Sequence, residues 1–186
     1  MHGGKLREWH VAFAPINPVL ESMRAEKRKV ALHSLLAALG ITALKLLVGL
    51  STQSLGILSE AAHSGLDLVA AFITLLSVRV SDKPADAEHQ YGHGKVENFS
   101  AFIETGLLLL TCVWIVWEAT RRLAGHHAVH IEPTLAAFGV LIFSMMVDWW
   151  RSRELRQIAR KYDSQALEAD ALHFSTDIFS SGVVTL

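Results

Sequence analysis

The chain has 186 residues, 51% of them hydrophobic and only 19% charged, and its mean hydropathy is +0.32. A soluble domain carries about a quarter charged residues, so these totals favour a membrane class. The formal net charge of -1 gives no footprint for nucleic acid, and the single cysteine, Cys112, excludes an internal disulfide or a cysteine-ligated zinc centre.

Residues 1–25 read as a cytosolic lead-in to a membrane domain over 26–186. The lead-in is basic, but Pro15 and Pro18 interrupt its apolar run, so it is no cleavable signal; Trp9 and Phe13 suit an interfacial contact. Apolar runs of about the length that crosses a bilayer predict spans over about 30–50, 55–80, 96–121, 131–150 and 165–186. The expected fold is therefore all-α, a polytopic transmembrane helix bundle of five spans. Lys45 lies inside span one, where it can snorkel or find an acidic partner, and Glu104 lies inside span three. Trp114, Trp117, Trp149 and Trp150 fall where aromatic rings meet the membrane interface. The short connection Ser51 to Ser54 makes spans one and two antiparallel neighbours, whereas Pro84, Gly92 and Gly94 break the helix in the loop 81–95. RSRELRQIARKYDS, from Arg151, reads as a basic linker into span five. That span is expected to stop at Leu186 without a cap, the mark of a truncated bundle.

Basic residues are unevenly shared among the connections. The lead-in holds Lys5, Arg7, Arg24, Lys27, Arg28 and Lys29, and the fourth connection holds Arg151, Arg153, Arg156, Arg160 and Lys161. The second connection has Arg79, Lys83 and Lys95, the third Arg121 and Arg122, and the first none. The bias places the N-terminus and the even-numbered connections in the cytoplasm.

The most informative stretch is SEAAHSGLD, Ser59 to Asp67, within span two. His63 and Asp67 are four residues apart, so on a helix they share one face. The pattern returns 110 positions later in ADALHFSTD, which pairs His173 with Asp177, and Glu60 is matched there by Asp170. A carboxylate deep in a bilayer costs about 2.5–3.5 kcal/mol on insertion scales. One His/Asp pair is explained by hydrogen bonding inside a bundle, but two pairs at equal spacing argue for a shared ligand. If spans two and five meet, His63, Asp67, His173 and Asp177 supply two nitrogens and two oxygens, a tetrahedral set that suits zinc. Co2+, Cd2+ and Fe2+ accept the same ligand types, whereas calcium and magnesium want more oxygen and no imidazole. Glu60 and Asp170 are candidates to orient the imidazoles, to line the ion's access path, or to hydrogen-bond between helices.

A second constellation lies in the loop. Asp86, His89 and His93 are spaced three and four apart, so one helical turn would align them, and Gly92 and Gly94 around His93 call for a special backbone path. His126, His127 and His130 in the third connection read as a solvated loop, with transient metal capture as the alternative. Cys112 is a small packing residue.

SEAAHSGLD, the loop HQYGHGKVE (His89 to Glu97) and ADALHFSTD together resemble the cation diffusion facilitators of the zinc/proton antiporter type, over roughly residues 25–186. The resemblance implies a transport site at the membrane midplane made by His63, Asp67, His173 and Asp177, with His and Asp on both helices as in the zinc-preferring subgroup. It implies an accessory loop site at Asp86, His89 and His93, and a Lys95 that helps join the membrane domain to a cytoplasmic one. It also implies homodimers with six spans and a C-terminal cytoplasmic domain. Relative to that pattern the chain reads as a membrane domain short of the sixth span and of the C-terminal domain.

The function expected is efflux of a divalent metal cation, zinc above all, across the plasma or inner membrane, with protons as counter-ion. Neutral histidine and ionised aspartate bind metal, and protonation releases it, so one set of side chains couples both flows. The partners expected are the lipid bilayer, the metal ion and a second copy of the chain. The rival readings are a non-transporting metal sensor, a structural fragment, and an intramembrane metalloenzyme using Glu60 or Asp170. Four protein ligands leave no open coordination position for catalysis, so no catalytic residue is assigned.

Overall fold

The structure is a computed structural model and describes residues 18–86, 88–125 and 135–185. Five α-helices follow one another: α1 (Pro18–Thr52), α2 (Leu55–Ser81), α3 (Lys95–Gly125), α4 (Leu135–Tyr162) and α5 (Gln165–Thr185). The all-α bundle expected from sequence is what forms. Among the described residues, three helical segments are long and apolar enough to cross a membrane, Pro18–Thr52, Gly56–Ser81 and Lys95–Trp114. α5 carries Glu168, Asp170 and Asp177 within 21 residues. The expected lead-in residues Trp9 and Phe13, and His126, His127 and His130, lie outside the described residues.

One sequence expectation is corrected. The segment from Arg151 is no linker, because α4 continues through it to Tyr162. Arg, Glu, Leu, Gln, Ala and Lys are all good helix formers, and the segment has no Gly or Pro to stop it. Only Asp163 and Ser164 separate α4 from α5.

That turn repeats the one between α1 and α2. Gln53 and Asp163 both adopt the left-handed conformation, with φ of 51° and 50°. The next amide in each case reaches back five residues, Ser54 N to Gly49 O at 3.2 Å and Ser164 N to Ala159 O at 3.0 Å. This is the Schellman closure of a helix C-terminus. Each serine carbonyl then starts the following helix, accepting from Leu58 N and Glu168 N. The 110-position repeat seen in the His/Asp motifs thus extends to the hairpin turns that deliver them. In the first hairpin the helices cross closely, since a Cβ on Gly49 would lie 2.9 Å from Leu58 Cδ2.

α1 packs on α2 and α4, α4 on α5, and α3 on α2 and α5. The buried cluster consists of Val30, Ala31, Leu75, Val78, Leu155, Ala159, Ala166, Leu167, Ala171 and Phe174. It therefore sits toward the end of the bundle that holds the 82–94 loop and the α4–α5 turn. The same end is closed by charge. Lys27 Nζ of α1 lies 2.8 Å from Glu97 Oε1 of α3 and 3.1 Å from Asp82 Oδ1 at the end of α2. Glu97 also accepts from Ser81 Oγ at 2.8 Å and from Ser164 Oγ at 2.5 Å. One carboxylate thus joins α1, α2, α3 and the α4–α5 turn. Away from the core, Phe99, Phe102, Leu109, Leu110 and Val113 of α3 are exposed, as a lipid-facing side requires.

Phe174 is fully buried, with the Arg151 guanidinium 3.6 Å from its ring centroid. Phe174→Ala is expected to cost roughly 3–5 kcal/mol through the cavity it leaves. Phe102→Ala, on the outer face, should change stability by less than about 0.5 kcal/mol. Unfolding of both variants in detergent checks the contrast.

Candidate metal centre

The repeated hairpins place α2 and α5 antiparallel, and this decides how their motifs meet. On each helix the histidine and the aspartate are four residues apart, about 6 Å along the axis. When two such pairs run in opposite directions, each histidine comes level with the other helix's aspartate. His173 Nε2 of α5 lies 3.0 Å from Asp67 Oδ1 of α2. His63 Nε2 of α2 lies 3.6 Å from Asp177 Oδ1 of α5, and His173 Nε2 is also 3.6 Å from Asp177 Oδ2. His63, Asp67 and Asp177 each offer a ligand atom within 4.8 Å of the others. His173 lies outside that mutual set of three and joins it through its contacts with Asp67 and Asp177.

The two ends of this cluster differ in access. The His173 side chain is 4% exposed and Asp67 12%, whereas His63 is 29% exposed. His173 and Asp67 lie toward the 82–94 loop, behind the buried core and the Lys27–Glu97–Asp82 closure. His63 and Asp177 lie toward the α1–α2 turn, and His63 is the most exposed of the four. His173 Nδ1 has no hydrogen-bond partner among the described residues.

Glu60 and Asp170 take up bonds to α1, and no hydrogen bond from either to an imidazole is found among the described residues. Glu60 Oε2 lies 3.2 Å from Lys45 Nζ, which also donates to Ser64 Oγ at 2.8 Å. Lys45 thereby has the acidic partner anticipated for a cation inside span one. Asp170 Oδ2 accepts from Ser34 Oγ at 3.1 Å, and Ser34 Oγ in turn accepts from Arg151 at 3.0 Å. Both carboxylates thus bond from one helix to another.

Sequence reasoning missed Asp148 and Arg151. Placed in a linker, Arg151 instead lies inside the bundle at 2% exposure, 3.0 Å from Asp148 Oδ1. With Asp67 and Ser64 these residues line a small cleft beside the cluster. An acid and a base three apart at the end of an apolar run were the available signal. Glu104, noted inside span three, accepts from Thr74 Oγ1 at 2.5 Å and from Ser100 Oγ at 3.4 Å.

The loop constellation also assembles, though by a tight turn and not a helical one. Asp86 Oδ1 accepts from the amides of His89 at 2.7 Å and Glu88 at 3.1 Å. These bonds, the His89 amide first, hold the Asp86 carboxyl below the usual carboxylate range. Asp86 lies 3.2 Å from His89 Nδ1 and 3.4 Å from His93 Nε2, and the two rings are 4.4 Å apart. Gly92, at φ 78°, supplies the left-handed step that returns His93 to the carboxylate. The ligand atoms of Asp86, His89 and His93 all lie within 4.8 Å of one another. Lys95, the first residue of α3, is exposed.

Comparison with known proteins places this geometry in a family. The sequence model of the cation efflux transmembrane domain matches residues 31–186. Metal tolerance protein C1 of Arabidopsis thaliana is 29% identical over 188 residues, covering 94% of this chain and 40% of its own. The cation-efflux pump FieF of Yersinia pestis is 31% identical over 163 residues, covering 81% and 52%. An uncharacterized transporter of Synechocystis is 33% identical over 165 residues, covering 84% and 50%. The chain spans about half the length of the curated relatives it matches. With the matched region covering α1 from residue 31, the four later helices and both His/Asp motifs, the chain is an integral membrane protein that belongs to the cation efflux transmembrane domain family.

Proposed function

We propose that the chain carries a divalent metal cation, zinc by preference, across a membrane in exchange for protons, with the ion held by His63, Asp67, His173 and Asp177. The observation that carries this reading is the reciprocal pairing of each histidine with the aspartate of the opposite helix. Two imidazoles and two carboxylates converge there from helices that have no other reason to bury them. A mixed nitrogen and oxygen set of four suits zinc, and Co2+, Cd2+ or Fe2+ would compete for it.

Protons compete for the same atoms. Metal ligands must be deprotonated, so metal binding would release protons from the imidazoles and protonation would release the metal. His63 is the most exposed of the four, on the side away from the 82–94 loop. On the reading that the N-terminus is cytoplasmic, that is the outward side, from which arriving protons would displace the ion. The inward-facing state then requires the Lys27–Glu97–Asp82 closure to part. The domain is placed at residues 26–186 in the plasma or inner membrane, with a homodimer as the assembly. Asp86, His89 and His93 form an accessory loop site that binds metal without taking part in the crossing.

Two measurements test this. Co2+ bound at a tetrahedral site absorbs strongly in the visible, and Asp177→Asn and His173→Ala are each expected to weaken that signal's affinity by at least about tenfold. Asp86→Asn should retain it. In proteoliposomes with an imposed pH gradient, wild-type chain should take up Zn2+ while His63→Ala and Asp177→Ala fall to the background of empty vesicles. Zinc flux retained by both variants would sink the assigned site. Binding without flux in the wild type would make the chain a sensor, and absence of both would leave a structural segment.

A further inference from the structure

One face of α4 changes character at Trp149. Ile142, Met146 and Trp149 are exposed and apolar, and the same stripe continues as Arg153, Arg156 and Arg160. The spacing alternates four and three, so these residues follow one line along the helix. Where the stripe turns basic, α4 and α5 part to form a groove of about 380 Å³ lined by Trp149, the three arginines, Ser175 and Ile178. Arg156 is turned into the groove and donates to Ser175 Oγ of α5 at 3.3 Å. Arg153 is held over the Trp149 ring at 5.6 Å.

Asp148 is taken by Arg151, Glu154 by His33 and Glu26 by Lys161, and none of the three arginines pairs with a carboxylate among the described residues. Three guanidiniums lining one groove favour an anion there. Guanidinium presents a fork that matches phosphate oxygens two at a time. An occupant that satisfies both parts of the stripe has a phosphate at one end and hydrocarbon at the other. Indole rings such as Trp149 mark the level where those two parts meet in a bilayer.

We propose that this α4–α5 groove is a binding site for one anionic phospholipid, its phosphate held by Arg153, Arg156 and Arg160 and its acyl chains laid along Trp149, Met146 and Ile142. The position, at the basic end of α4, puts the headgroup in the leaflet that faces the 82–94 loop. Basic pockets between helices on that side bind anionic headgroups in preference to neutral ones. The site is separate from the His/Asp cluster, so it stands whether or not the chain moves metal.

The test uses the full chain purified in detergent and offered phosphatidylglycerol or phosphatidylcholine, with retained lipid counted by mass spectrometry of the intact complex. Wild type is expected to hold one phosphatidylglycerol at least about tenfold more tightly than phosphatidylcholine. The triple variant Arg153→Gln, Arg156→Gln, Arg160→Gln should lose that preference. A matched triple at the same end of the bundle, Arg24→Gln, Lys29→Gln, Lys83→Gln, should change it less than about twofold. Gln157→Glu, which leaves every arginine in place but adds an anion to the groove lining, should weaken retention without perturbing the fold. Equal loss in both triples would mean diffuse surface charge and overturn the site. So would equal retention of the two lipids, retention unchanged in both groove variants, or displacement of phosphatidylglycerol by millimolar inorganic phosphate alone.

Discussion

The structure depends on two antiparallel helices that carry the same four-residue His/Asp spacing. Had α2 and α5 been parallel, each histidine would have faced the other and each aspartate the other. Two carboxylates at contact distance in a low-dielectric interior repel by several kcal/mol. Reversing one helix sets each aspartate against the other helix's histidine, His63 with Asp177 and His173 with Asp67, so that imidazole nitrogen offsets the two carboxylates that still come within 4.8 Å of each other. The direction of each helix is fixed by its hairpin, and the two hairpins close with the same turn, a left-handed residue followed by serine. Turn and motif stand at equal separations in both halves, so a single repeated unit, used twice in opposite directions, produces a cluster with alternating donors.

Buried charge elsewhere in the bundle is arranged so that it does not disturb this cluster. Lys45 is held by Glu60 and Ser64, and Arg151 by Asp148, Ser34 and the face of Phe174. An unpaired cation at either position would oppose a divalent ion in the cluster. Because each is fixed by partners on its own or a neighbouring helix, the carboxylates of Asp67 and Asp177 remain directed at the imidazoles. The Lys27–Glu97–Asp82 group works on another scale, since Glu97 draws together elements from both hairpins and from α3. Any movement that opens the 82–94 side must replace those bonds by water, which is feasible only because they sit at the end of the bundle.

Much of this was legible in the sequence. The period and length of the apolar runs give the five helices, and the repeat SEAAHSGLD/ADALHFSTD gives the four central residues, because ionisable groups in apolar runs are rare enough to stand out. The extent of α4 was hidden because a charged segment reads as a linker, whereas Arg, Glu, Gln and Lys are compatible with helix when no Gly or Pro intervenes. The same misreading concealed Arg151, which directly follows the apolar run yet faces the interior. The bonds of Asp170 and Glu60 to α1 depend on which helices are neighbours, and single-sequence spacing carries no information on that. In the loop, the spacing of Asp86, His89 and His93 pointed to proximity for a helical reason, while the observed proximity comes from an aspartate-centred turn and a left-handed glycine.

The placement of charge also limits the route by which a cation reaches the cluster. A guanidinium about 10 Å from a divalent ion costs about 3 kcal/mol at an effective dielectric near 20, and three along one groove exclude it. The α4–α5 groove, lined by these arginines, therefore disfavours a cation although it has a volume of about 380 Å³. Acidic groups lie on other faces. Glu60 is half-exposed beside His63, and Asp86 stands in the loop at the opposite end. The two signs are thus carried on different faces of the bundle, so a cation is drawn to the α2 side and an anion to the basic face of α4.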